Sequence, residues 1–321
     1  MFLDSRRATS ARRNASRRNV ATATWLALGF VIAPFAANRH TQADSPFATG
    51  IVSYVAGIGA ASGYTNPQVA LGSPERMTGD GFAPQVVTPF QPAFLSSEIV
   101  SLGMGGSLVV TFDHDVLDDP ANPYGIDLLV FGNAFASDAA WPSGLVGGMF
   151  AEGGAISVSL DGVTWTPVPN VVADGPFPTL GYVDVGPYAT APGAVLTDFT
   201  RPVNPALRGP GMIGRAWPSL IAAYGGSGGG AGIDIGALGL DRIRYVRVDG
   251  STSFGVSPEV DAFADVAPEL PSPDLDGNGA VDAADLAMLL GAWGTSGGAA
   301  DLDANGVVDA ADLAILLGSW T

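Results

Sequence analysis

Alternating apolar and polar residues recur through the middle of the chain and predict short β-strands. Residues 107–112 (SLVVTF) carry apolar side chains at every second position, as a half-buried strand does. Residues 125–134 (GIDLLVFGNA) are more continuously apolar and predict a strand that is buried on both faces. Residues 155–168 alternate on either side of Asp161-Gly162, a dipeptide typical of tight turns, and therefore predict a hairpin.

The rest of this region continues the pattern, with one interruption. Residues 242–250 and 259–266 predict two more strands. Before them, residues 170–240 are dense in Pro and Gly and include GGSGGGAG at 225–232. We expect long loops or an insertion there, with a flexible tip. Short strands joined by many turns indicate an antiparallel β-sandwich.

A helical pattern follows each of two nearly identical segments. Residues 274–293 read DLDGNGAVDAADLAMLLGAW and residues 301–320 read DLDANGVVDAADLAILLGSW, with sixteen of the twenty paired positions identical. Each copy predicts a loop followed by a short amphipathic helix, because its later apolar residues recur at helical spacing. These residues are Leu286, Leu289, Leu290 and Trp293 in the first copy, and Leu313, Leu316, Leu317 and Trp320 in the second.

The two loops concentrate oxygen ligands at alternate positions. Side-chain ligands stand at loop positions 1, 3, 5, 9 and 12, and position 7 offers its backbone carbonyl. In the first copy this set is Asp274, Asp276, Asn278, Asp282 and Asp285, with Ala280 at position 7. In the second it is Asp301, Asp303, Asn305, Asp309 and Asp312, with Val307. Four carboxylates so close repel one another unless a cation is present, and a flexible oxygen cage suits calcium better than magnesium. The spacing predicts one Ca²⁺ in each loop.

Both loops depart from an ordinary EF-hand. Position 12 is Asp rather than Glu, and no helix can enter either loop, since PELPSP (268–273) precedes one and GTSGGAA (294–300) the other. Loop then helix, repeated at a 27-residue interval, closely resembles the type I dockerin module over residues 274–320. The resemblance implies a calcium-folded module that docks onto a cohesin-like partner near loop positions 10 and 11.

The positions that the resemblance assigns to docking are small in both copies. They are Ala283, Ala284, Ala310 and Ala311. Because the two pairs match, we expect a pseudo-two-fold module that can dock in either of two orientations. The alternative is that the module only caps the protein or mediates a local contact.

The preceding region resembles a second family. SLGMGGSLVVTFDHDV, GIDLLVFGNAF and FAEGGAISVSLDG are similar to discoidin-type, galactose-binding-like domains of bacterial secreted and cell-surface proteins. The resemblance covers about residues 50–266 and implies a jelly roll that binds ligands through loops at one end. The expected fold class is therefore mainly β, an antiparallel jelly-roll β-sandwich followed by a small α-helical tandem calcium-loop domain.

The N-terminal segment has the pattern of an export signal. Six Arg residues precede an apolar run at 20–37, and small residues follow it, so residues 1–43 predict a signal peptide cleaved near Ala37 or Ala43. A membrane anchor is the alternative. We expect a sandwich domain at 44–267, a Pro-rich linker at 268–273 and the dockerin-like domain at 274–321. The protein is expected to be secreted or held at the cell envelope, without a membrane span after cleavage.

Composition narrows the function classes. The chain has no Cys and no Lys, 26 Asp against 5 Glu, and a net charge of −17. Such a surface repels nucleic acid and attracts divalent cations, so a nucleic-acid partner is excluded. Thiol chemistry is impossible without Cys. Only His40 and His114 are available, which disfavours a Ser-His-Asp triad or a multi-histidine metal site.

Two small groups of residues are candidate sites in the sandwich. Trp141 and Trp217 stand before Pro in Gly-rich surroundings, where an exposed indole can stack on a sugar ring; the alternative is a buried anchor for the loop. A third, structural Ca²⁺ is a candidate at Asp127, Glu152 and Asp261, since a chain without disulfides gains rigidity from a metal. The alternative is that these acids cap turns.

No short motif places two acids as a catalytic pair, so we expect no catalytic residues. The sequence favours a secreted, non-catalytic protein that binds carbohydrate and is tethered by its calcium-dependent tail. The alternative is a polysaccharide-degrading enzyme, a glycoside hydrolase, or its accessory subunit, because dockerin-like tails often accompany such enzymes.

Overall fold

A computed structural model describes most of the chain after the predicted signal. The described residues are 45–81, 83–208, 211–253, 255–266, 272–278, 280–296, 298–303 and 307–321. The predicted signal peptide, most of the predicted linker and the predicted ligand Asn305 lie outside them.

Thirteen strands and three α-helices are present within the described residues. The strands are β1 (Gly50–Val55), β2 (Met77–Thr78), β3 (Gln85–Val86), β4 (Val100–Ser101), β5 (Ser107–Leu117), β6 (Leu128–Gly132), β7 (Phe135–Asp138), β8 (Val146–Phe150), β9 (Gly154–Ser159), β10 (Thr166–Ala173), β11 (Ala231–Ile233), β12 (Arg242–Asp249) and β13 (Glu259–Asp265). The helices are α1 (Trp217–Tyr224), α2 (Ala283–Gly291) and α3 (Ala310–Gly318).

Two antiparallel sheets share one apolar core. One sheet has the order β1-β5-β12-β9-β10 and the other the order β11-β6-β13-β4. Alternate residues of β5 and β12 point into the core together with residues from β6 and β13. This burial of apolar surface is the main force that holds the sheets together. The region is therefore mainly β and antiparallel, as expected.

The strands predicted from alternation are confirmed. Leu108, Val110 and Phe112 of β5 are all buried. The continuously apolar stretch forms β6, whose first four residues are buried on both faces. Strands β9 and β10 pair across the Asp161-Gly162 turn, and β12 and β13 occupy the two last predicted segments.

The expectation of a flexible tip at residues 225–232 is wrong. Residues 227–232 are buried, and Ala231 begins β11, which pairs with β6. Glycine is needed there for close packing: a Cβ on Gly228 would lie 2.1 Å from the Phe199 ring, and one on Gly229 would lie 2.4 Å from the Pro178 carbonyl oxygen.

Much of the Pro- and Gly-rich region packs around a core of its own. The helix α1 contributes Leu220 and Tyr224, and β7 and β8 contribute Ala136 and Val146. Segments without regular structure supply the other buried apolar residues, among them Phe177. The region therefore has long loops, as expected, but they are built into the fold.

The last described segments form a pair of loop–helix units around a small core. Leu289 of α2 and Leu316 of α3 are fully buried in it. Each loop is also hydrogen-bonded to the end of the other unit: the Val281 carbonyl accepts from Thr321 N at 3.1 Å, and the Val308 carbonyl accepts from Gly294 N at 2.9 Å. The two units thus exchange the same contact.

Candidate calcium sites and a carboxylate cleft

The first loop gathers its carboxylates around the buried Asp285. Oδ1 of Asp285 accepts hydrogen bonds from the backbone N–H of Leu275 (2.7 Å) and Asp276 (3.1 Å), and Oδ2 accepts from Asp282 N (2.8 Å). These donors lower the pKa of Asp285, the Asp282 amide most of all. Carboxylate oxygens of Asp274, Asp276 and Asp285 lie within 4.8 Å of one another.

The second loop repeats this arrangement residue for residue. Oδ1 of Asp312 accepts from Leu302 N (2.6 Å) and Asp303 N (3.1 Å), and Oδ2 accepts from Asp309 N (2.7 Å). Burial raises the pKa of Asp312, but the three backbone donors outweigh it and the net pKa is lowered. Asp301, Asp303 and Asp312 bring carboxylate oxygens within 4.8 Å of one another.

The donors in both loops fit a calcium ion. Calcium binds oxygen at about 2.3–2.6 Å, so ligands on opposite sides of one ion are about 5 Å apart, and all three oxygens in each loop can reach it. Positions 1, 3 and 12 converge in both copies. Asp282 and Asp309 instead accept from Ala284 N and Ala311 N at 2.8 Å, which makes them helix caps.

The remaining predicted ligands of the first loop shape its turn. Asn278 Oδ1 accepts from Ala280 N at 2.9 Å, and Asn278 Nδ2 donates to Asp276 Oδ2 at 3.0 Å. Val307, which occupies the place of Ala280 in the second loop, is exposed.

The residues expected to dock a partner are exposed in both copies. Their four small side chains are at the start of α2 and α3. Larger apolar side chains that the helical pattern placed on one stripe are also about half exposed. These are Leu290 and Trp293 on one copy and Leu317 and Trp320 on the other, each 45–51% exposed. The buried stripe of each helix is therefore narrower than the sequence pattern predicts. The exposed surface of the two helices is also more apolar than the four alanines alone would make it.

The three acids expected to share a calcium ion in the sandwich do not come together. Asp127 lies with Asp118 and Asp234, and Glu152 lies with Asp174 and Glu259. Asp127 directly precedes β6, Glu152 lies between β8 and β9, and Asp261 lies inside β13, so strand pairing places the three acids in different parts of the sandwich.

The third of these acids, Asp261, is buried in another setting. Its Oδ2 accepts from Glu75 N at 3.4 Å. Burial raises the pKa of Asp261 well above its ordinary value, and the nearby Glu75 and Glu98 raise it further. The neutral acid is therefore favoured at this position.

Asp127 is satisfied by its own neighbours. Its Oδ1 accepts from Asp119 N (3.2 Å) and Asn122 Nδ2 (2.9 Å), and its Oδ2 accepts from Ile235 N (3.0 Å). Burial still raises its pKa, in spite of these donors. This geometry matches the alternative expectation, in which the acid stabilises turns.

A cleft of about 380 Å³ contains the second group of acids. Glu152 stands between β8 and β9, Asp174 directly follows β10, and Glu259 begins β13. Their carboxylate oxygens lie within 4.8 Å of one another. Across the cleft, the rings of Phe135 and Phe150 stack with centroids 4.8 Å apart and an angle of 23°. Sequence reasoning found Glu152 but missed Asp174 and Glu259, because only tertiary pairing brings these three segments together.

Two of the three acids in this cleft, Asp174 and Glu259, have a raised pKa. Burial raises the pKa of Asp174 to about 7. Burial, and then the charge of Glu152, raises the pKa of Glu259 to about 8. The side chain of Glu152 meanwhile accepts from Ser257 N at 3.0 Å. Near neutral pH the cluster therefore holds fewer negative charges than three isolated carboxylates would.

The two candidate tryptophans differ. The indole of Trp217 donates to the Val185 carbonyl at 2.9 Å, and its ring packs 6.1 Å from Phe90, so it anchors α1 to the core. Trp141 is 75% exposed and touches Tyr188 edge-on at 6.3 Å. Trp217 thus follows the alternative expectation, and only Trp141 is accessible for stacking.

The turn that presents Trp141 is held by one carboxylate. Asp138 accepts hydrogen bonds from the backbone of Ala140, Gly144 and Leu145 at 2.8–2.9 Å, and from the Tyr188 hydroxyl at 3.1 Å. Desolvation raises the pKa of Asp138, but these donors together outweigh it and the net pKa is lowered. The exposed ring therefore stands on an ordered turn.

Comparisons with known proteins address the tail only. No helix in the described part of the chain is long and apolar enough to cross a membrane.

No curated protein matches the sequence significantly. The family model for the dockerin type I domain matches residues 272–317. Dockerin domains in general bind Ca²⁺ and cohesins, and they occur in extracellular or cell-surface complexes. Residues 272–317 therefore form a type I dockerin domain, which indicates anchoring to a cohesin-bearing complex.

Proposed function

We propose that this is a secreted, non-catalytic carbohydrate-binding protein, attached through its dockerin domain with two bound Ca²⁺ ions. The observation that carries the attachment is the duplicated carboxylate cage, repeated with the same donors around Asp285 and Asp312. The body, in this proposal, is a galactose-binding-like jelly roll, and its exposed Trp141 stacks on a sugar.

Attachment is tested by binding to a panel of purified cohesin domains. We expect binding with millimolar Ca²⁺ and its loss in chelator, because the loops that position α2 and α3 need a counter-charge. Asp285→Ala together with Asp312→Ala should abolish binding in Ca²⁺. The matched variant Asp80→Asn/Asp241→Asn, which removes two exposed charges elsewhere, should bind normally. Binding that persists in chelator would overturn the proposal.

Sugar recognition rests on the accessible ring of Trp141. Aromatic faces on ordered turns lose little conformational freedom when a ligand binds, and Asp138 provides that order. A glycan array should show binding by the full chain and a loss of ten-fold or more in Trp141→Ala. Val163→Ala, at an 81% exposed position, serves as the control. A blank array, or equal binding by both variants, would refute this part.

One observation favours the second candidate, a polysaccharide-degrading enzyme. The cleft holds acids with raised pKa, Asp174 at about 7 and Glu259 at about 8, and a general acid must be protonated near neutral pH. However, glycosidase carboxyl groups stand about 5–9.5 Å apart, and these oxygens converge within 4.8 Å. Release of reducing sugar from plant or microbial polysaccharides, lost in Glu259→Gln, would establish this candidate in place of the first.

A further inference from the structure

The cleft between β7–β8 and β13 brings together three carboxylates without a positive side chain. Glu152, Asp174 and Glu259 come from segments far apart in the chain, yet their oxygens lie within 4.8 Å of one another. No Arg or His lines the cleft among the described residues. Three ionised carboxylates at this distance would repel strongly. Protonation of Asp174 and Glu259 relieves that repulsion in the ion-free cleft, and a bound cation relieves it in the ionised state.

Asp174 carries a second, independent sign of a ligand. Its side chain is buried, with 1% exposed. Oδ2 accepts from Glu152 N at 3.2 Å, and the backbone amides of Ala134 and Glu259 lie close enough to favour the carboxylate, but Oδ1 has no hydrogen-bond partner among the described residues. A buried carboxylate oxygen without a donor is costly. The backbone of Asp174 also has a φ of 44°, in the left-handed region that non-glycine residues rarely adopt. The chain therefore holds this carboxylate in the cleft in an unfavourable conformation.

The kind of donor favours calcium. The oxygen separations of up to 4.8 Å suit calcium and magnesium alike, since oxygens on opposite sides of these ions are about 5 Å and about 4 Å apart. Calcium also accepts mixed Asp and Glu ligands without strict octahedral geometry. Three carboxylates supply between three and six oxygens of the six to eight that calcium takes. The remaining positions face an open cavity, where water completes the shell.

We propose that Glu152, Asp174 and Glu259 form a calcium site in the body, separate from the two dockerin loops. The ion joins the start of β13, the end of β10 and the β8–β9 connection, so it fastens both sheets at one end of the sandwich. This site differs from the candidate set of the sequence, of which it keeps only Glu152. It does not depend on the proposed sugar recognition.

The test uses the full chain with Asp285→Ala and Asp312→Ala, which disable the dockerin loops. Calcium is titrated into this parent by calorimetry, and the melting of the body is followed by near-ultraviolet circular dichroism. We expect the parent to bind calcium and its body to melt at a higher temperature in calcium than in chelator. Adding Glu152→Gln and Glu259→Gln should lower the bound calcium by one ion per chain and remove that shift.

Replacing the two Glu residues of the cleft by Gln should also change the melting temperature in opposite directions in chelator and in calcium, which a general loss of stability would not do. In chelator, the Gln pair should melt at the same or a higher temperature than the parent, because neutral Gln side chains remove the repulsion that protonation leaves in the ion-free cleft. In calcium it should melt lower. Adding Asp80→Asn/Asp241→Asn to the parent instead should leave the bound calcium unchanged. If the parent with both Glu152→Gln and Glu259→Gln does not fold, the parent with Glu152→Gln alone is measured instead. A parent that binds no calcium, or a Gln variant that keeps the full amount, would overturn the proposal.

Discussion

At the scale of single residues, the Asp161 carboxylate closes the turn between β9 and β10. Its Oδ1 accepts hydrogen bonds from Thr164 N (2.7 Å), Val163 N (2.8 Å) and the Ser159 hydroxyl (3.1 Å). The Thr164 hydroxyl donates to its Oδ2 at 3.2 Å. These donors favour the ionised form, the Thr164 and Val163 amides most, and lower the pKa of Asp161 to about 2.

This lowered pKa predicts how the turn responds to acid. A carboxyl whose pKa falls from 3.8 to about 2 on folding contributes stability above pH 3.8, and that contribution is lost as the pH falls toward 2. Asp161→Asn should therefore unfold at a lower denaturant concentration than the wild type at pH 5. The gap should narrow steadily between pH 4 and pH 2.5.

The measurement is the urea midpoint of the body at each pH. Thr164→Val, which removes one hydroxyl donor and keeps the amide donors, should show a smaller gap than Asp161→Asn. A gap that stays constant with pH would contradict the prediction.

The residues of this turn were predictable from sequence, whereas the cleft was not. Asp161-Gly162 carries its signal in adjacent positions, since a tight turn needs only local backbone chemistry. Glu152, Asp174 and Glu259 have no such spacing, because strand pairing alone brings them together. Asp174 is recognisable only by its burial and its backbone angle, neither of which sequence reveals.

At the scale of elements, alternation identified the central strands because one face of each is buried in a common core. Reasoning from glycine content, by contrast, failed at residues 225–232. Glycine there was interpreted as freedom of the backbone, yet Gly228 and Gly229 allow other chain segments to approach closely. Composition cannot distinguish these two uses of glycine, whereas the contacts of Phe199 and Pro178 do.

The helices of the dockerin domain begin at residues that also belong to the calcium loops. Asp282 Oδ1 accepts from Ala284 N, and Asp285 Oδ2 accepts from Asp282 N, which together form a capping box. Asp285 thus stabilises the start of α2 and belongs to the carboxylate cluster of the first loop. Helix formation and ion binding are linked through this side chain.

This shared role predicts an unequal effect on the two helices. In calcium, Asp285→Ala should lower hydrogen-exchange protection in α2 by about ten-fold or more, since lost capping costs about 0.5–2 kcal/mol and the ion is weakened too. The loss in α3 should be smaller. Hydrogen exchange followed by mass spectrometry provides the measurement.

The matching substitution in the second loop provides the control. Asp312→Ala should reverse the order, with α3 affected more than α2. Unchanged hydrogen-exchange protection in α2 after Asp285→Ala would contradict the proposed link between the capping of α2 and ion binding in the first loop.

At the scale of the whole molecule, the dockerin domain presents two similar faces. Leu290 and Trp293 are about half exposed on one, and Leu317 and Trp320 on the other. We predict that a cohesin docks on either face. Leu290→Ala/Trp293→Ala should weaken binding by only about two-fold, because one of two equivalent modes remains.

Changing both faces tests this prediction fully. The quadruple alanine variant should lose about 100-fold or more, as expected when buried apolar anchors are removed. Surface plasmon resonance with an immobilised cohesin measures both cases. If the first pair alone abolishes binding, only one face docks.

The hydrogen bonds between each calcium loop and the end of the other unit have a consequence for calcium binding. Val281 is held by Thr321 beyond α3, and Val308 by Gly294 beyond α2, so neither loop can open without disturbing the other. We expect an ion in one loop to favour the ordered form of the other, and its loss to loosen both. We therefore expect the dockerin domain to lose both calcium ions together over a narrow range of calcium concentration, rather than one loop at a time.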